Sequence, residues 1–153
     1  MPNVRWLLAL ISSLHRFVYR ASGGRLGGRA GRLHFLLLEH TGRKSGRRYE
    51  APLLYMPDGE RFVVVASNAG DARDPAWWKN LQAQPETHAQ VGTRRLAVRA
   101  RGAEGPERAE LWGRLLEGWP EYARYERRTA RPIPVVVLET AGATGAVPLG
   151  ADR

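Results

Sequence analysis

The chain has 153 residues, of which 43% are hydrophobic, and this is enough for one domain with a buried core. It has no cysteine, which excludes disulfides, thiol nucleophiles and cysteine-ligated metals, and its four histidines lack metal-ligand spacing. The net charge is +9, and all of it lies in residues 1–48, which hold ten basic residues and one acidic residue. This imbalance predicts an anionic partner: nucleic acid, lipid headgroups, or a ligand with phosphate or carboxylate groups.

Residues 4–20 have the periodicity of an amphipathic helix, with Arg5, Arg16 and Arg20 opposite the apolar face. The segment is too short to span a bilayer and lacks a clear signal-peptide cleavage site. Two interpretations stay open: packing on this domain or a partner, or peripheral contact with an anionic membrane. The expected location is the cytoplasm, with possible attachment to the inner face of the cell membrane. A Gly-rich basic linker follows, so residues 1–31 are expected to form a separate N-terminal region.

The body of the chain, residues 32–141, is predicted to be one mainly β domain, followed by a disordered tail at 142–153. Strands are predicted at 33–39, 48–56, 61–67, 87–103 (a hairpin) and 132–140, and helices at 75–83 and 106–117, with a helical or irregular segment at 119–129. Asp58-Gly59 is typical of a hairpin turn, and Asp74 before Pro75 predicts a helix N-cap. Because strands and helices do not alternate, we expect a barrel of about six antiparallel strands with flanking helices.

The most distinctive motif is a basic turn between two predicted strands, residues 42–48. Its glycines permit a tight turn with outward-facing N–H groups, and four cations and a hydroxyl surround it: Arg43, Lys44, Ser45, Arg47 and Arg48. Such a turn suits a phosphate-like anion, with Lys as a point charge and Arg as a fork. No helix follows it, so it is not a P-loop. The alternative is an ordinary solvated turn.

Polar and aromatic side chains follow the third predicted strand. Ser67 and Asn68 stand at its end, where a small polar group can reach a pocket or simply form a turn. Trp77 and Trp78 are on the short helix with Asn80. Since adjacent helical side chains point in directions about 100° apart, we expect only one tryptophan to face the core fully, leaving the other for a ligand pocket or a loop.

Trp119, Tyr122 and Tyr125 recur every three residues, near one side of a helical turn. Tyrosine hydroxyls can donate a proton or a hydrogen bond, although an aromatic stripe is also typical of a core. No Ser-His-Asp group and no close carboxylate pair stands out. Demanding chemistry would therefore require a bound organic cofactor.

Five blocks in order resemble the deazaflavin-dependent nitroreductase family, actinobacterial proteins that use coenzyme F420. The blocks are TGRKSG, PLLY, VVVASN, DPAWWKNL, and YARYERRT followed by IPVVVLE, and the resemblance covers roughly residues 20–140. It implies a split β-barrel similar to flavin reductases and pyridoxamine oxidases. It also implies hydride transfer from reduced F420 to a quinone, a nitroaromatic or another electron-poor acceptor.

The resemblance further implies a set of site residues. Those implied to bind F420 are Arg43, Lys44, Ser45, Gly46, Arg47, Arg48, Ser67, Asn68, Trp77 and Asn80. Those implied to be catalytic, near the acceptor, are Tyr122, Tyr125 and Ser67, and no metal is implied. Trp119 stands where the best-known nitroreductase has the first of three tyrosines, which removes a hydroxyl and adds bulk.

Three functions stay open at this point: an F420H2-dependent reductase, a non-catalytic carrier of F420 or a flavin, and a basic module for nucleic acid or membrane. The strands lack the aromatic residues interleaved with arginine that single-strand binders use, so a nucleic-acid partner is not expected. From the residues alone, FMN is an alternative to F420. We expect a small-molecule electron acceptor as partner and a monomer or homodimer as assembly.

Overall fold

The computed structural model describes residues 29–30 and 33–141. The elements of this part are β1 Arg29–Ala30, β2 Leu33–Thr41, β3 Arg48–Asp58, β4 Arg61–Val65, α1 Ala76–Ala83, β5 Glu86–Val91, β6 Arg94–Gly102, α2 Gly105–Gly118, α3 Glu121–Arg128 and β7 Val135–Thr140, with a 3-10 turn at Asn68–Gly70. The helix predicted at 4–20 and the tail predicted at 142–153 lie outside the described residues. No helix of the described part is long and apolar enough to cross a membrane.

The strands form one antiparallel sheet in the order β1-β2-β3-β4-β7-β6-β5. β2 also pairs with β5, with Leu37 opposite Gln90 and Leu38 opposite Ala89, and this pairing closes six strands into a barrel. The predicted fold is therefore confirmed. β1 extends the edge by two residues, within a stretch that the sequence had suggested was a linker.

The barrel interior is filled by aliphatic residues that alternate along the strands, among them Leu36, Leu38, Val64, Val136 and Leu138. α1 packs against β2 and β6 and contributes Trp77, Trp78 and Leu81 to this cluster. Both tryptophans are only 7% exposed, so the expectation that one alone would face the core is wrong. The helix touches two strands of the barrel, and side chains on two of its adjacent faces can therefore be buried together.

A second core lies on the outer face of β4 and β7, beneath α2 and α3. It contains valines of the two strands together with Leu111, Trp112, Leu115 and Tyr122 of the helices. The predicted aromatic stripe therefore belongs to the helical layer outside the barrel.

Element boundaries follow local chemistry, with one clear exception. Gly59 (φ +60°) and Gly92 (φ +62°) occupy the left-handed region in the β3–β4 and β5–β6 hairpins, as turns of this kind require. β7 begins at Val135 rather than at 132, since the preceding prolines cannot donate to a ladder. The predicted N-cap Asp74 is wrong: α1 is preceded by Pro75, without a side-chain cap, and the Asp74 carboxylate pairs with Arg131 at 2.8 Å. The Asp74 carboxylate is therefore engaged by Arg131 and does not cap the helix.

Candidate functional site

The basic turn joins β2 to β3 and has a fixed backbone. The Gly42 N–H donates to the Arg47 carbonyl and the Gly46 N–H donates to the Gly42 carbonyl, both at 2.8 Å. Gly46 has φ +71°, and a Cβ on Gly42 would lie 2.4 Å from Ser45 Oγ. The positive φ favours glycine at position 46, and the basic side chains of the turn are exposed to solvent.

Asn80 of α1 ties this turn to the barrel. Its Oδ1 accepts hydrogen bonds from the backbone N–H of Arg43 at 3.1 Å and from the Arg43 guanidinium at 3.0 Å. Its Nδ2 donates to His40 Nδ1 at 2.9 Å. Asn80 is 4% exposed and His40 8% exposed. Two predicted site residues that are 37 positions apart are thus in direct contact.

A surface cavity of about 330 Å³ opens beside the turn. The residues that line it are His40, Gly42, Arg43, Lys44, Ser45, Tyr49, Ala76 and Asn80. None of these side chains is acidic, and two are cationic, so the cavity is chemically suited to an anion.

Arg48 faces a different cavity. This second space, of about 570 Å³, is also lined by Glu39, Glu86 and Glu139, and His40 lines both cavities. The pKa of the Glu39 carboxyl is held below its usual range, chiefly by its hydrogen bond to Arg95. The cations that the sequence grouped in one motif are therefore divided between two surroundings, one free of acidic side chains and one rich in them.

The loop after β4 is held by Arg131. The guanidinium of this residue donates to the backbone carbonyls of Ser67 and Asp71, each at 2.9 Å, as well as to Asp74. Asn68 adopts a positive φ of 45°, and its side-chain amide donates a hydrogen bond to the Arg73 carbonyl at 3.1 Å. Ser67 is thus presented, half-buried, by a loop whose backbone is anchored.

The tyrosine helix packs directly on this loop. A Cβ added at Gly70 would lie 3.2 Å from the Tyr125 carbonyl oxygen, so the loop and α3 are in close contact. Tyr122 is 9% exposed and its ring lies 6.2 Å from that of Trp112, whereas Tyr125 is half-buried. Burial raises the pKa of Tyr122 to about 12, so its hydroxyl stays neutral at physiological pH.

Trp119 carries an unusual donor. Its indole Nε1 is buried, and no residue of the described part accepts a hydrogen bond from it. Its ring centroid lies 6.4 Å from that of Tyr122. A buried N–H without an acceptor among the described residues is rare in proteins.

The sequence reasoning missed two residues that hold parts of this region in place, His40 and Arg131. His40 lies within a strand, and Arg131 precedes a proline in a polar segment, so neither position has a distinctive local pattern. Their partners are 40 and up to 65 residues away in the chain. Within residues 29–30 and 33–141, no three His, Asp or Glu side chains are grouped so as to hold a metal ion.

Residues 12–140 match the sequence profile of the F420H(2)-dependent quinone reductase family. The chain belongs to this family. It is 41% identical over 146 residues to the F420H(2)-dependent quinone reductase Rv1261c of Mycobacterium tuberculosis, an alignment that covers 90% of this chain and 98% of that protein. The resemblance inferred from the five sequence blocks is confirmed.

Solved structures agree with this membership of the quinone reductase family. The chain is 37% identical to a structure described as an F420-H2 dependent reductase (FDR-A), with a TM-score of 0.63 over 69% of this chain and 93% of that one. It is 31% identical to a structure described as a domain-swapped dimer, with a TM-score of 0.66 over 89% of this chain and 98% of that one.

Proposed function

We propose that the protein is an F420H2-dependent reductase that delivers a hydride to a quinone. The observation that carries the proposal is the acid-free cavity beside the basic turn, in a chain of the F420H(2)-dependent quinone reductase family. The relatives are named as reductases, which favours an enzyme over a carrier. Oxidation of F420H2 by menadione with purified protein tests the proposal, and binding without turnover would support the carrier instead.

The residues present fit the cofactor at its anionic end. F420 carries a phosphodiester and a chain of glutamates, and the cavity offers Arg43 and Lys44 as cations and Ser45 as a hydroxyl. Gly46 permits the turn, and Arg47 adds an exposed cation to it, whereas Arg48, also expected to bind the cofactor, faces the neighbouring cavity that Glu39 and Glu86 line. When bound, reduced F420 supplies the hydride.

The acceptor side is proposed to be formed by Ser67, Tyr122 and Tyr125. A neutral tyrosine hydroxyl can hydrogen-bond a quinone oxygen as negative charge develops on it. Tyr125 is the better exposed of the two tyrosines, and the Ser67 backbone is fixed by Arg131. Trp77, which belongs to the barrel core, and Asn68, whose amide is engaged within its own loop, are proposed to shape the site.

The wider setting is also a proposal. Nitroaromatic compounds would be secondary acceptors, and residues 4–20 would hold the protein on an anionic membrane, where lipophilic quinones dissolve. Sedimentation with anionic liposomes, with and without residues 1–20, tests this attachment. The domain-swapped relative supports a homodimer over a monomer. Residues 32–141 would form the F420-binding domain, with 1–31 and 142–153 as flanking regions.

A further inference from the structure

We propose that His40 and Asn80 are positioning residues of the anion cavity, which hold Arg43 in place for the tail of the cofactor and act only through it. The inference rests on the proposed function, and it departs from the sequence expectation that Asn80 contacts the cofactor directly. It is carried by three hydrogen bonds that link the buried interior of the domain to the exposed turn.

The direction of each hydrogen bond in this chain is determined by its chemistry. Arg43 offers only donors, from its backbone N–H and its guanidinium, so the Asn80 oxygen must face it. The Asn80 amide nitrogen must then face His40 and donate to Nδ1. His40 Nδ1 is therefore an unprotonated acceptor, and the neutral ring carries its proton on Nε2.

Burial separates the residues that position from the residues that bind. His40 and Asn80 line the cavity but are only 8% and 4% exposed, whereas Arg43 and Lys44 are exposed to solvent beside it. The Asn80 oxygen already accepts two hydrogen bonds and would repel an anion. The His40 ring also stacks on Tyr49, with centroids 5.5 Å apart and planes at 23°, which fixes its orientation.

The benefit of this arrangement is pre-organisation. A free arginine side chain loses rotamer freedom when it binds an anion, and this loss weakens binding by roughly two- to tenfold for each such side chain. Here the guanidinium is already tethered through Asn80. Removing the Asn80 side chain should weaken binding of the anionic tail about tenfold. The loss should be somewhat smaller if its only cause is the added rotamer freedom of Arg43.

The first test is a double-mutant cycle on the affinity for F420, measured by calorimetry. We expect Arg43→Ala and Asn80→Ala each to raise the Kd for F420 about tenfold. The Kd of the double variant should be at most about twofold higher than that of the single variant that binds more weakly. None of the three should alter the affinity for the deazaflavin chromophore without its phosphodiester tail. Losses that multiply in the double variant, or an equal loss for the tail-less chromophore, would overturn the inference.

The second test uses His40 and needs no ligand. Asparagine can place an oxygen acceptor near the position of His Nδ1, whereas leucine cannot, and both lose the ring that stacks on Tyr49. We expect His40→Leu and Asn80→Ala to speed hydrogen exchange of the Arg43 backbone amide, and His40→Asn to leave it nearly as slow as in the wild type. Equal exchange in His40→Leu and His40→Asn would show that the ring only fills space, and would overturn the inference.

The two proposals fail in different ways. If the wild-type protein does not bind F420, the proposed function fails and this inference fails with it. If the wild type binds F420 but Asn80→Ala, shown to be folded by its thermal transition, binds it equally well, only the positioning role is overturned. If Asn80→Ala does not fold, His40→Leu and His40→Asn are compared instead, by the exchange rate of the Arg43 amide and by the affinity for F420.

Discussion

Arg43 and Lys44 are neighbours in the basic turn, but the protein holds them differently. Arg43 is bonded to α1 through Asn80, whereas Lys44 makes no hydrogen bond or ion pair with any residue of the described part. Lys44 therefore has its full capacity available for an incoming anion. Arg43 is therefore oriented before an anion binds, whereas Lys44 can move to meet the anion as a point charge.

The first prediction concerns Lys44. Lys44→Ala should weaken F420 binding by about 1–3 kcal/mol, the usual contribution of a hydrogen bond to a charged group. The loss should shrink as salt is raised, because an exposed charge is screened. Titrations at low and high salt measure it, with Arg94→Ala, an exposed cation at the start of β6, as the control. Equal losses for Lys44→Ala and Arg94→Ala would mean that only overall charge matters.

The second prediction separates the two tyrosines. Tyr125→Phe should lower turnover with menadione about 10²–10³-fold, as expected for removal of a donor to a developing oxyanion. Tyr122→Phe should have a smaller effect, because its ring is almost fully buried against Trp112. Steady-state kinetics at fixed F420H2 measure both, and F420 affinity should be unchanged. Wild-type rates in both variants would assign the tyrosines to packing.

At the residue scale, the sequence predicted those features that depend only on residues adjacent in the chain. Glycines at 42 and 46 around Arg43 and Lys44 predict a tight basic turn from local sterics alone. His40 could not be predicted, since its role is defined by Asn80, 40 residues away. Trp119 could be recognised as a departure from the best-known nitroreductase, but not as a buried donor with no acceptor among residues 33–141.

At the scale of elements, the loop between β4 and α1 depends on one side chain from the segment before β7. Arg131 is only 14% exposed in its side chain and reaches the Ala66, Ser67 and Asp71 carbonyls and the Asp74 carboxylate. Five donors in a rigid fork can satisfy several acceptors at once, and lysine cannot reproduce this geometry. The loop that presents Ser67 is thereby joined to the strand that follows α3.

The third prediction tests this clamp. Arg131→Lys should lower the free energy of unfolding by about 1–3 kcal/mol, because several hydrogen bonds from a charged donor are lost. It should also speed hydrogen exchange of the Gly70 amide, which donates to the Ser67 carbonyl at 2.8 Å. Urea unfolding and amide exchange measure the two effects. Arg127→Lys, at an exposed position of α3, is the control, and equal stability of the two variants would argue against the clamp.

The sequence predicted most elements and a barrel, but not which two strands pair to close it. The Asp58-Gly59 turn, the alternation in β6 and the proline before α1 are local signals, and the corresponding hairpins and helix are present. The pairing of β2 with β5 joins strands about 50 residues apart, and no local pattern specifies it. The burial of both Trp77 and Trp78 likewise follows from where α1 docks.

At the scale of the whole molecule, a network of ion pairs joins α2 to the barrel. Glu107 accepts hydrogen bonds from Arg61 of β4 and Arg101 of β6, and Arg101 also bonds Glu139 of β7. Asp58, at the end of β3, accepts from Arg61 and from Arg114 of α2. The Arg101 guanidinium, with Arg61 beside it, lowers the pKa of Glu107 from its ordinary 4.5 to about 2.

The fourth prediction follows from the sign of that shift. A carboxyl whose pKa is lowered by folding stabilises the protein above its ordinary pKa, and this contribution is lost as the pH falls toward the folded-state value. The wild type should therefore lose stability between about pH 4.5 and pH 2, and Glu107→Gln should show a shallower loss over that range. Thermal unfolding at a series of pH values measures this. Glu110→Gln, exposed on the same helix, should behave as the wild type, and a slope shared by all three proteins would contradict the prediction.

The central claim is that this chain passes a hydride from reduced F420 to a quinone, with the anionic tail of F420 proposed to lie at the basic turn and the quinone beside the tyrosine helix. The most direct measurement is the oxidation of F420H2 by menadione with purified protein, followed through the absorbance of the deazaflavin, with the Arg43→Ala/Lys44→Ala double variant as control and reduced FMN as a competing donor. The account predicts turnover with F420H2, a strongly raised KM for F420H2 in the double variant, and little turnover with reduced FMN. Saturable binding of F420H2 without oxidation, or turnover with reduced FMN at an equal rate, would contradict it.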